Sequence, residues 1–322
     1  MKPSDVLKLM FVVVLMSLVL GPLSLAQQHE NKREHQDQQE GAIKLATDLV
    51  ALNVMVTDQN GRAASGLKKE DFKVYENGIE QPISFFSADE APVSWGLVLD
   101  RSGSMMGMMQ DVYRAAIHVV DEGTEKDEMF ATTFNKRVEL ASGFVTDQHG
   151  LEKSLLGLRA DGTTALWDAM AYGLDYVKRG KHQKKVLVVI TDGEDNASSI
   201  KLRELIDRAE EEEVLIYPVG MFESGGMGTS RSDYAKLELE RIAEATGTRA
   251  HFPTSVKECR EAMQEIAREV SQQYSVGYYP TNTARDGKWR KIRVVVDGPG
   301  GKTNYVARTR AGYYATERGG VK

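Results

Sequence analysis

The stretch Val186-Leu187-Val188-Val189-Ile190 is followed at once by Thr191-Asp192-Gly193. A strand with one face in water alternates apolar and polar positions. This one is apolar throughout, so both of its faces must be covered. The strand-like run extends over 186–191, and similar runs stand at 95–99, 129–134, 214–219 and 249–252. Between and after them lie segments of helical apolar spacing, at about 105–122, 165–178, 199–212, 234–245 and 256–272. Buried strands alternating with amphipathic helices predict an α/β domain over 93–272, with a doubly wound, mostly parallel sheet and helices on both faces. In such sheets ligands sit beyond the carboxyl ends of the strands. Asp100 and Asp192 each stand there, directly after a strand.

Outward from this core the pattern changes. Val50, Leu52, Val54 and Val56 alternate with Ala51, Asn53, Met55 and Thr57 ahead of Asn60-Gly61, the signature of a half-buried antiparallel strand and turn. A second Asn-Gly, at Asn77-Gly78, separates 72–75 from 83–86. Beyond Ser271, strand-like segments return at 273–279, 289–296 and 305–311, the last two joined by the glycine-rich turn 297–302. The flanks 42–92 and 273–316 are each too small to bury a core alone, so they are expected to pack together as one small β subdomain, with 317–322 as a tail.

Composition narrows the function classes. The chain has 322 residues, 41% hydrophobic and 27% charged, enough for a sizeable core. Its formal net charge of −6 offers no footprint for a polyanion, so no nucleic-acid partner is expected. The basic spot Arg290, Lys291 and Arg293 reads as a solvated strand face. At the N-terminus, Lys2 and Lys8 precede the apolar run 9–20, Pro22 breaks it, and Ser24-Leu25-Ala26 supplies small residues for cleavage. Residues 1–26 therefore read as a signal peptide and 27–41 as a polar flexible leader, giving an exported, periplasmic or secreted protein. An uncleaved membrane anchor is the other reading of the run. The single cysteine, Cys259, repeats at helical spacing with Val256, Met263, Ile266 and Val270 and reads as a core thiol.

Asp100-x-Ser102-x-Ser104, the loop Gly162-Thr163-Thr164, and Thr191-Asp192-Gly193 come from three connections at one sheet edge. This set resembles the von Willebrand factor type A fold with its metal-ion-dependent adhesion site, whose Asp-x-Ser-x-Ser, distant Thr and later Asp match Asp100, Ser102, Ser104, Thr164 and Asp192. The segments 164–170 and 188–194 look like the threonine-bearing helix start and the strand that delivers the last aspartate. Further out, 67–72 with 75–78, then Gln273-Tyr274, 277–280 and 312–314, resemble an exported bacterial group called VWFA-related proteins. Since Thr163 and Thr164 are adjacent, either register is open.

The resemblance implies Mg²⁺, or Mn²⁺ or Ca²⁺, held by those five residues, the aspartates partly through water. It also implies a protein partner presenting an Asp or Glu to the metal. The donor chemistry agrees, because hard ions take oxygen ligands and commonly keep waters. Three bland alternatives accompany the site: Ser102 or Ser104 as a helix cap, Glu194 and Asp195 as solvated loop acids, and Asp161 as a residue behind the ligands. Met105, Met106, Met108 and Met109 read as core or rim and not as a soft-metal site. Gly-x-Ser-x-Gly and HExxH are absent, and His118 reads as structural, so no enzyme is expected. The functional expectation is divalent-metal-dependent protein binding or adhesion. Its alternatives are a structural envelope protein whose ion only stabilises the fold, and a metal-dependent hydrolase.

Overall fold

The computed structural model describes residues 49–59, 62–117, 124–222, 230–298 and 305–316. The signal, the leader, the Asn60-Gly61 turn, His118 and the tail lie outside the described residues, as do most of the 297–302 turn and of the Gly-rich segment after Phe222. Among the described residues no helix is long and apolar enough to cross a membrane.

In chain order the strands begin with β1 (Val50–Thr57), β2 (Phe72–Glu76), β3 (Ile79–Gln81) and β4 (Ile83–Ser87). The α/β region follows with β5 (Val93–Asp100), α1 (Met109–Ile117), β6 (Glu128–Phe134), β7 (Val138–Val145), α2 (Gln148–Leu155) and α3 (Leu166–Val177). It continues with β8 (Lys184–Thr191), α4 (Leu202–Glu212), β9 (Leu215–Gly220), α5 (Ser230–Thr246) and α6 (Val256–Ser271). The chain closes with β10 (Tyr274–Tyr278), β11 (Trp289–Val296), β12 (Val306–Arg308) and β13 (Gly312–Tyr314).

The five-stranded sheet runs β7-β6-β5-β8-β9, parallel except for β7 at one edge. Every residue of β5, β6 and β9 is buried, as strands covered on both faces require. One face packs Trp95, Leu97, Val188 and Ile190 against Val112 and Ala116 of α1, Leu151 of α2, and Cys259, Met263 and Ile266 of α6. The other packs Val98, Phe130, Leu187 and Val189 against α3, α4 and α5. The doubly wound reading is thus met, and Cys259 is a core residue whose thiol burial pushes up to about 12.

Both flanks build the β subdomain. Two four-stranded sheets, β12-β1-β10-β4 and β13-β11-β2-β3, share a core of alternate residues such as Leu52, Val54, Val74, Val276 and Val294. Asn77 (φ 48°) and Gly78 (φ 85°) are both left-handed, the conformation of a two-residue hairpin turn, and join β2 to β3. The turn separates 72–75 from 83–86 as expected; β3 stands between them as an additional short strand, and β4 crosses to the other sheet and pairs with β10.

Other expectations give way. The strand at 249–252 reduces to one bridge between Val219 and His251. Tyr305 to Ala311 divides into β12 and the approach to β13, and β7 and α2 are additional elements. Arg290 is buried rather than solvated. Its guanidinium donates to the Asp286 carboxylate (2.8 Å) and the Ala284 carbonyl (3.0 Å), and lies 3.9 Å from the buried Glu76. Lys291 and Arg293 do face outward, and Arg293 stacks 4.5 Å over the Tyr75 ring.

Candidate metal centre at the carboxyl edge of the sheet

Asp100 is the last residue of β5 and is fully buried. One carboxylate oxygen accepts the Ser102 amide (2.7 Å) and the other the Thr191 hydroxyl (2.6 Å), while its carbonyl accepts the Tyr113 hydroxyl from α1 (2.9 Å). Burial pushes the carboxyl above its ordinary value, and the bonds from Thr191 and Ser102 pull it only part of the way back. Among the described residues no lysine or arginine pairs with it. A buried carboxylate in that state is costly unless a cation stands beside it.

The hydroxyls converge on the same spot. Ser104 donates to an Asp192 carboxylate oxygen (2.7 Å), which leaves the Ser102–Ser104 contact (3.1 Å) to be donated by Ser102. Ser102 opens a 3₁₀ turn, Gly103–Met105, but its side chain caps nothing, so the helix-cap reading of these serines is not met. Thr164 is buried. A methyl placed on Gly193 would lie 3.5 Å from the Thr164 hydroxyl and 4.0 Å from that of Ser104, so these hydroxyls flank one glycine from two connections. Thr163 is exposed. The structure therefore brings Asp100, Ser102, Ser104, Thr164 and Asp192 together, with Thr164 as the inward threonine.

Several residues that hold this arrangement were not singled out as such by the sequence. Asp195 is a cap and not a solvated loop acid: it accepts the Leu166 amide (2.8 Å), the Trp167 amide (3.4 Å) and the Ser198 hydroxyl, closing the first turn of α3. Asp168 answers from α3 by accepting the amides of Ser199 (2.9 Å at the nearer oxygen) and Ile200 (3.1 Å). Asn196 accepts the Thr164 amide (2.9 Å) and donates its own amide to the Thr164 carbonyl (3.0 Å).

On the other side, the Gly103 amide donates to the Gly162 carbonyl (3.1 Å), and Asn135 bridges the Asp161 carbonyl (3.1 Å) and carboxylate (2.6 Å). Asp161 also pairs with Arg101 (3.2 Å), whose other arm meets Glu139 (2.7 Å). Asp161 thus stands behind the loop. Met105 and Met109 are buried in the core, and Met106 is 72% exposed at the rim.

Five oxygen-bearing side chains, two of them acidic, fit a hard divalent cation. Ser104 donates to the Asp192 carboxylate and Ser102 lies within reach of Ser104, while the Asp100 carboxylate is buried and, among the described residues, has no cationic partner. A doubly wound sheet carrying such a donor set where its strands end defines a class, the α/β domain with a cluster of oxygen donors at its carboxyl edge. The model of the von Willebrand factor type A domain matches residues 96–269, more than half of the chain, and the chain belongs to that family.

Among relatives, an uncharacterized protein of Synechocystis is 26% identical over 165 residues, 48% of this chain and 37% of that protein, so the match spans well under half of the relative's length. A von Willebrand factor type A structure from Catenulispora acidiphila aligns with TM-score 0.49 at 14% identity, over 82% of this chain and 74% of that one. The vWF domain of the type V pili tip protein Mfa5 from Porphyromonas gingivalis aligns with TM-score 0.44 at 12% identity, over 57% and 96%.

Proposed function

We propose that this chain is an exported binding protein that takes Mg²⁺, or Mn²⁺ or Ca²⁺, at Asp100, Ser102, Ser104, Thr164 and Asp192, and receives there an Asp or Glu of a protein partner. The observation that carries the reading is the convergence of three hydroxyls and Asp192 beside a buried carboxylate that, among the described residues, no basic side chain neutralises. When bound, the cation supplies an electrophilic position open to an incoming carboxylate.

The chain's own residues do the rest. Thr191 and the Ser102 amide hold Asp100 in one orientation. Asn196 holds the backbone of Thr164, and the Ser102-to-Ser104-to-Asp192 relay sets the directions of the neutral donors. Few direct anionic ligands leave the bound ion able to attract another acid, which supports a binding role over a purely stabilising one. Family membership supports the same reading.

The test is capture from envelope extract on the immobilised protein in Mg²⁺ and in EDTA, with Asp100→Ala and Asp192→Ala alongside. Capture in Mg²⁺, release by EDTA and loss in both variants, with circular dichroism unchanged, is the expected outcome. Equal capture in EDTA shows that the ion is not the recognition element. Unfolding of the wild type in EDTA leaves the stabilising role in front.

A further inference from the structure

A cleft of about 640 Å³ opens between α4 and α5 of the α/β domain and the β11–β13 edge of the β subdomain. It falls within the roughly 300–1,000 Å³ typical of small-molecule sites and lies at a subdomain boundary, where such sites concentrate. One wall is aromatic. Trp289 and Tyr314 are directly opposed in the β11–β13 register, their rings 4.9 Å apart at 65°. Gly312, also in β13, makes room for the indole: a Cβ there would sit 2.6 Å from two of the ring carbons. The rings are therefore set by the sheet and not by solvent.

The facing wall is mixed: Leu202 and Ile206 of α4 lie among charged side chains. Arg203, Asp207 and Glu210 recur along α4 at spacings of four and three, which places them on one helix face, and Arg241 of α5 joins them. Arg203 and Asp207 lie 3.8 Å apart. Two guanidiniums argue against a cationic ligand and two carboxyls against an anionic one, while four polar side chains argue against a purely apolar one. A ligand with a flat apolar C–H face and a rim of hydroxyls satisfies both walls, since aromatic faces take the first and charged side chains hydrogen-bond the second.

From this juxtaposition we propose that the cleft between α4 and the Trp289–Tyr314 pair is a binding site for a short neutral saccharide. Burial, then Asp207 and Glu211, push the Glu210 carboxyl up to about 7, so near neutrality it is present both as donor and as acceptor, the two roles that sugar hydroxyls require.

The protein carries its own probe. Trp95 and Trp167 are buried, whereas Trp289 is partly exposed, so acrylamide quenching of tryptophan emission reports on this cleft. Chito-, cello- and malto-trioses are titrated against the protein, with and without EDTA. The expected result is saturable protection from quenching by at least one series, unchanged by EDTA. Affinity should weaken about tenfold in Arg203→Ala and Asp207→Asn, roughly the loss of one charge-assisted hydrogen bond. Both substitutions lie on accessible positions of α4 and leave the sheet intact. Calorimetry of Trp289→Ala should show no binding. Failure of all three series to protect Trp289 overturns the proposal, as does protection that is as strong in both α4 variants as in the wild type or that is matched by a purely apolar probe such as butanol. Because the expected protection needs no metal ion, failure here leaves the metal-centre reading where it stood.

Discussion

Asp100 sets the electrostatics of the site. Its carboxyl is raised in the folded chain, so the fold holds that proton more tightly than the unfolded chain does. Without a cation, the resulting stability is fully present below the unfolded value and is lost as pH rises through the folded one. At pH 7 in EDTA, Asp100→Asn is therefore expected to raise the urea midpoint relative to wild type. Excess Mg²⁺ should reverse the order, because only the wild type gains from binding, by about 2.7 kcal/mol at a hundredfold excess over Kd. Urea titrations in both buffers check this, and an Asn variant that is weaker in EDTA would show that burial of the charge does not dominate. Asp100 and Asp192 were legible because each follows an apolar strand. Thr191 was not, although it stands beside Asp192, since its role depends on β8 lying parallel to β5 with Leu99 opposite Ile190. That register carries the Thr191 hydroxyl to Asp100, and one-dimensional spacing does not contain it.

At the scale of elements, the start of α3 decides where Thr164 points. Ala165 sits at the helix N-cap position with no side chain able to cap, and the missing acceptor comes from Asp195, about thirty residues further along the chain. Asp195→Ala is expected to cost about 0.5–2 kcal/mol, the range for a lost cap. It should also weaken Mn²⁺ binding, because the residue before Ala165 is the inward threonine. Urea denaturation gives the first quantity and electron paramagnetic resonance titration of Mn²⁺ the second. A stability loss with unchanged Mn²⁺ affinity would separate the cap from the site. Helices and central strands were readable because their apolar period is unbroken. β7 was not: it is an antiparallel edge strand whose pairing with β6 shifts register twice, which breaks the alternation that marks a strand. α2 is only eight residues long, with Gly150 in its first turn, too short for a helical period to stand out.

At the scale of the molecule, the β subdomain is built from two segments that flank the α/β domain in sequence. The sequence could suggest that they pack together, since each is too small alone, but not that they interleave. In one sheet β10 has β1 on one side and β4 on the other, both from the N-terminal segment, and in the second β11 lies between β13 and β2. Pairings such as Leu52 with Val276 join residues on opposite sides of the whole α/β domain, so no local pattern encodes them. An ion pair also ties the two parts: the buried Glu269 of α6 lies 3.4 Å from Arg308 of β12. Removal of residues 42–92 would strip β10 of both neighbours and β11 of one, leaving their backbone groups unpaired and their apolar faces uncovered. The expected outcome is rapid proteolytic cleavage within 273–316 while 93–272 persists as a resistant fragment, read by mass spectrometry of a limited digest. The α/β domain keeps both of its own covered sheet faces after the deletion, which is why its resistance should survive. Unchanged protection of 273–316 would mean that those strands are held by the α/β domain and not by β1, β2 and β4.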